Sequence, residues 1–115
     1  MEIHKSNLID IGIETEEAIE RLGGNESLYH SLCDKFAQDK NFHFLQEALS
    51  VKDYKSAEFY IHTLKGVAAN LGFVRLEIIS GSILQDLREN NFTNLKPDNI
   101  CLTAEYNRII TLISA

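Results

Sequence analysis

The apolar positions Ala57, Ile61, Leu64, Ala68 and Leu71 recur at intervals of three and four residues, the repeat of one face of a helix. Advancing about 100° per residue, they share a narrow stripe, so the spacing predicts a helix with one core-facing seam. Asp53 suits its N-cap and Gly72 its stop. Leu76, Ile79, Ile83 and Leu87 mark the seam of a second helix, ended by Asn90 and Asn91. The link between the two is so short that the second must return antiparallel to the first, which makes residues 53–91 a helical hairpin.

The remaining pattern is helical as well. Residues 14–22 carry acids in a first turn, where the helix dipole favours them, and Gly23 and Gly24 end that short element. Asn25 is placed to cap a further helix with an apolar stripe of Leu28, Leu32 and Phe36. A kink or brief interruption at residues 38–41 leads into Phe42, Leu45, Ala48 and Leu49, and residues 50–52 form a turn. A last helix opens around Lys96, Pro97 and Asp98, with Ile100, Tyr106, Ile109, Ile110 and Ile113 as its apolar positions. Residues 1–12 contain Ile3, Leu8, Ile9 and Ile11 in no sustained register and read as an arm. No strand candidate survives. The expected fold is therefore all-α: an up-down antiparallel four-helix bundle with a short additional N-terminal helix.

Length and composition narrow the picture further. A chain of 115 residues, 44% hydrophobic, is one domain with enough apolar material for a single core. The net charge of -6 makes nucleic acid and anionic membranes poor partners. No apolar run reaches membrane-spanning length, and the N-terminus lacks the order of a signal peptide, so the cytoplasm is the expected compartment. Cys33 and Cys101 have no second ligand at metal-site spacing and are expected to be reduced and structural. His4, His30 and His43 have no neighbouring motif.

Candidate chemistry centres on His62. By the same helical arithmetic it stands about 140° from the centre of the seam, on an exposed flank. A solvated surface histidine is the ordinary reading of such a position, but three neighbours argue for more. Gly66, one turn later, costs on the order of 1 kcal/mol against alanine inside a helix, and it faces away from the seam, so the bare position serves something outside. Lys65 sets a flexible cation beside the ring, and Ala69 continues the face with a small side chain. The surface around the imidazole is low, open and locally positive, suited to a bulky partner and an anion.

The run His62-Thr63-Leu64-Lys65-Gly66-Val67-Ala68-Ala69-Asn70-Leu71-Gly72 resembles the phosphoacceptor signature of histidine-containing phosphotransfer (HPt) domains. The resemblance extends to Leu22-Gly23-Gly24-Asn25 with Leu28 and Tyr29, and to Asp53 and Tyr54, and so covers most of the chain. It implies a single HPt domain, monomeric as such domains commonly are, acting as a phosphorelay intermediate. The implied chemistry is attack by a neutral His62 nitrogen on a receiver's phospho-aspartate, followed by transfer to another receiver. Lys65 would offset the incoming charge, and Gly66 and Ala69 would admit the receiver's rim. No carboxylate cluster is available for Mg²⁺, so the receiver is expected to bring the ion. No nucleotide-binding element is present, so the chain is expected not to phosphorylate itself from ATP. Response-regulator receivers and a hybrid sensor histidine kinase are the implied partners.

The flanks leave alternatives open. Glu58, one turn before His62, either hydrogen-bonds the ring or is a solvated acid. In several family members a glutamine on the next helix lies beside the phosphoacceptor; the aligned position here is Leu84, with Gln85 one residue later and about 100° away. Lys55, Phe59 and Asn70 flank the face as a docking rim, unless Phe59 packs beneath the N-terminal arm. The competing function is a helical module that binds a receiver or kinase without accepting phosphate; the intact His62, Lys65 and Gly66 argue against it. A starting Met1 favours a free-standing protein over an excised kinase domain.

Overall fold

In the computed structural model, which describes residues 13–114, six helices follow one another: α1 (Thr15–Arg21), α2 (Glu26–Gln38), α3 (Asn41–Ser50), α4 (Tyr54–Leu71), α5 (Val74–Arg88) and α6 (Leu95–Ile113). Among the described residues there is no strand, only an isolated antiparallel bridge between Ile13 and Phe73. The N-terminal arm expected over residues 1–12 lies outside the described residues.

The caps explain where the helices begin and end. Asn25 Oδ1 accepts the Leu28 amide at 2.9 Å to start α2, and Asp53 Oδ1 accepts the Ser56 amide at 3.2 Å to start α4, each satisfying a donor that has no partner within its own helix. The interruption after α2 is a true break: Asp39 turns extended, and its carboxylate accepts the Asn41 amide at 2.6 Å to open α3. Helices α2 and α3 do not pack on each other; α2 lies against α4 and α6, and α3 against α4. They are successive segments of one edge of the bundle. Helix α4 is central, packed against α1, α2, α3 and α5, while α6 closes the ring against α5 and α2. A reciprocal amide pair, Gln46 with Asn99 at 2.8 and 2.9 Å, ties α3 to α6.

On α4 the buried residues are Ala57, Ile61, Leu64, Ala68 and Leu71, the seam read from spacing. Three other stripes need correction. On α2 the buried residues are Tyr29, Cys33 and Phe36, and Leu28 is 41% exposed, because the Tyr29 ring enters the core to bring its hydroxyl to a carbonyl of α4. On α5, Ser80 and Leu84 join Leu76, Ile83 and Leu87 in the core, and Ile79 is only half-buried. On α6 the heptad Leu95, Leu102 and Ile109 sets the seam, which turns Ile100 outward at 64% exposure. That helix starts two residues before Pro97, whose missing N–H falls in a first turn where it has no acceptor to lose.

The C-terminal end of α4 is held most completely. The Ala68 carbonyl accepts the Phe73 amide at 2.9 Å, and the Ala69 carbonyl accepts the Gly72 amide at 3.3 Å and Arg21 Nη2 at 2.7 Å. Arg21 also reaches the Asn70 carbonyl at 3.4 Å, and the Tyr29 hydroxyl donates to the Leu71 carbonyl at 2.7 Å. All four terminal carbonyls are thus partnered, two of them by a cation where the helix dipole favours one. Gly72 then reverses the chain at φ 77°, and its carbonyl accepts the Glu14 amide at 2.7 Å. A helix anchored this way presents its outer face at a fixed angle.

Candidate functional site

His62 is exposed on the outer face of α4, opposite the seam. A Cβ added at Gly66 would meet nothing within 4 Å among the described residues, so no packing among them requires a glycine there. Lys65 leans the other way: a Cβ built on Gly81 of α5 would lie 3.6 Å from Lys65 Cε and 4.0 Å from Cδ. The lysine is half-buried and its ammonium has no acidic partner among the described residues.

Glu58 does not bond the ring; it is a partly solvated acid, 40% exposed, held in an ion pair with α5. Arg88 Nε of α5 donates to Glu58 Oε1 at 3.1 Å, and no hydrogen bond joins this carboxylate to the ring. Together, the Glu58 to Arg88 and Lys65 to Gly81 contacts set the register of the hairpin. On α4 the stripe is Glu58, His62, Lys65; on α5 it runs back as Arg88, Gln85, Gly81, each at helical spacing. By this register Leu84 lies level with His62, and Gln85, one residue on, lies on the exposed side of α5. Gln85 donates to Glu89 Oε1 at 3.0 Å. Leu84 is 3% exposed and belongs to the core, so it contributes nothing to the His62 face.

The other flank is aromatic. Phe59 is 65% exposed and meets Tyr60 edge-on at 5.4 Å between ring centres; Tyr60 in turn contacts exposed Phe44 of α3 at 5.8 Å. Lys55 is exposed two turns before His62, and Ala69 is half-buried two turns after it. Asn70 is exposed but lies toward a cavity of about 220 Å³ between α2, α4 and α6, lined by Leu32, Phe36, Val67 and the stacked pair Phe42 and Tyr106. The structure thus brings Glu58, His62, Lys65, Gly66 and Ala69 onto one face, sets Lys55 and Phe59 along its approach and Gln85 across from it, and leaves Asn70 at the edge.

Sequence reasoning missed Arg88 and Gly81. A glycine in the middle of a periodic helix was the available signal for Gly81; a lone arginine on an exposed helix end carried none for Arg88. Among the described residues no group of three His, Cys, Asp or Glu gathers as a metal site, and no helix is long and apolar enough to cross a membrane.

The sequence model of one protein family, the Hpt domain, matches residues 30–110. The chain belongs to that family. The match runs from α2 into α6 and contains the whole His62 face. No match was found among curated proteins or solved structures. Hpt domains serve histidine phosphotransfer in phosphorelays, interacting with receiver domains and kinases, and carry phosphoryl groups without kinase activity of their own. The all-helical bundle is the architecture of this family.

Proposed function

We propose that this Hpt domain takes a phosphoryl group onto His62 from the phospho-aspartate of a receiver domain and hands it to the aspartate of another. The observation that supports this most is the exposed imidazole with an empty position one turn on, at Gly66, where nothing among the described residues needs the space. A neutral ring nitrogen attacks phosphorus; the P–N bond forms as the acyl P–O bond breaks, and the receiver's aspartate leaves as a carboxylate. Such a transfer asks the protein mainly for position and charge. Lys65 supplies a cation that no acidic group among the described residues neutralises, while Arg88 pairs Glu58 and so offsets a repulsive charge one turn from His62.

Gly66 and Ala69 give the receiver's active-site rim its clearance, and Gln85 faces the phosphoryl group from α5. Docking runs over Lys55, Phe59 and the aromatic flank, with Asn70 at the margin. Mg²⁺ is expected to arrive with the receiver, where the phospho-aspartate sits. The cytoplasm is the compartment we propose.

The test is to incubate the protein with a phosphorylated receiver and Mg²⁺ and follow acid-labile, base-stable label. Wild type is expected to take it and His62→Gln, folded normally, to take none. Label on His62→Gln would move the acceptor elsewhere. A folded wild type that binds receivers but takes no label would replace transfer with a pure binding role.

A further inference from the structure

We infer that Gly81 is a positioning residue for Lys65, so that α5 as well as α4 builds the cationic side of the His62 face. The inference rests on the reading of His62 as phosphoacceptor. Gly81 sits in the middle of α5, where glycine is a poor helix former. Its φ is not positive, unlike those of Gly23, Gly24 and Gly72, so no backbone conformation demands it. What a Cβ at this position would meet, its own helix aside, is the Lys65 stem at Cε and Cδ and nothing else within 4 Å among the described residues. The bare stretch of α5 is a shelf, and the lysine's methylenes occupy it.

Two consequences follow for the site. A lysine stem laid along apolar surface keeps its charged end free while losing rotamer freedom before the anion arrives. Half-buried Lys65 differs in this from Lys55, which is exposed on the same helix. Direction matters as well. Lys65 lies about 60° to one side of His62 and Gly66 about 40° to the other. Seating the lysine on α5 keeps the cation at that edge of the imidazole and leaves the Gly66 side clear for the partner.

The experiment is a double-mutant cycle in the full chain, combined with a structural readout that needs no phosphate. Gly81→Leu fills the shelf; Gly81→Ala adds a methyl at ordinary contact distance and should preserve it. In wild type, proton NMR should show a contact between the Lys65 ε-methylene and the Gly81 α-protons, which Gly81→Leu abolishes. Transfer from a phosphorylated receiver should slow on the order of tenfold in Gly81→Leu, as much as in Lys65→Ala, with no further loss in the double variant. Gly81→Ala should transfer like wild type.

A missing contact in wild type, an unaffected rate in Gly81→Leu, or losses that multiply in the double variant would each overturn the positioning role. Circular dichroism reports whether Gly81→Leu folds; if it does not, Gly81→Val takes its place in the cycle, and the wild-type contact remains decisive. A wild type that shows the contact but accepts no phosphoryl group refutes the reading of His62 itself, and with it any role for Gly81 in transfer.

Discussion

The Tyr29 hydroxyl donates to the Leu71 carbonyl at 2.7 Å, joining the first turn of α2 to the last residue of the helix that carries His62. Both groups are buried, so neither can exchange its partner for water. Tyr29→Phe leaves the carbonyl without this donor and should cost about 1–2 kcal/mol, read as a lower denaturation midpoint. An unchanged midpoint would mean the bond contributes nothing net.

Alkaline pH should loosen the same region. Burial pushes the Tyr29 phenol above its ordinary value and pushes the Cys33 thiol up to about 11 from near 9. Both groups hold their protons more tightly folded than unfolded: the Cys33 contribution is complete below about pH 9 and is lost as pH rises toward 11, and that of Tyr29 begins to fall only above its ordinary value near pH 10. Urea midpoints should be flat up to about pH 8.5 and decline above it. The thiols should separate too: exposed Cys101 should alkylate in the native protein, and buried Cys33 only after unfolding.

Glycine substitutions on α4 should divide by position. Gly66→Ala adds a methyl in open space and should stabilise the free protein by about 1 kcal/mol, whereas Gly66→Phe should impair transfer without unfolding the bundle. A Cβ at Gly72 would stand 2.5 Å from the Glu14 carbonyl oxygen at φ 77°. Gly72→Ala should therefore destabilise by roughly 2 kcal/mol or more, and a neutral result would show that residues 13–14 yield easily.

The Glu58 to Arg88 pair should matter more to charge than to stability. Its side chains are 40% and 54% exposed, so Arg88→Ala should cost under about 1 kcal/mol. It also uncovers a carboxylate one turn from His62, so transfer should slow, and adding Glu58→Gln should restore it. Failure of that rescue would assign Arg88 a different role.

The α4 side of the face around His62 was legible in the chain because it depends on one helix alone. Period 3.6 sets the Ala57 to Leu71 seam inward and His62 outward whatever packs against them, and Asp53 and Gly72 bound the helix by local hydrogen bonding and backbone freedom. The break between α2 and α3 was visible for the same local reason. Stripes on helices with apolar residues on several sides were not: Leu28 and Tyr29, or Ile79 and Ser80, compete for one core position, and periodicity does not say which neighbour's shape prevails.

By itself, then, the sequence determined an all-helical bundle, the family, and a histidine with a lysine and a bare glycine beside it, since these follow from residue types at fixed spacing along one element. Only the tertiary structure decided that Arg88 neutralises Glu58, that Leu84 is buried in the core while Gln85 is exposed, and that Gly81 receives Lys65. Each of these depends on how far α5 slides and turns along α4, a register set by the summed packing of two whole helices and written in no local run of residues.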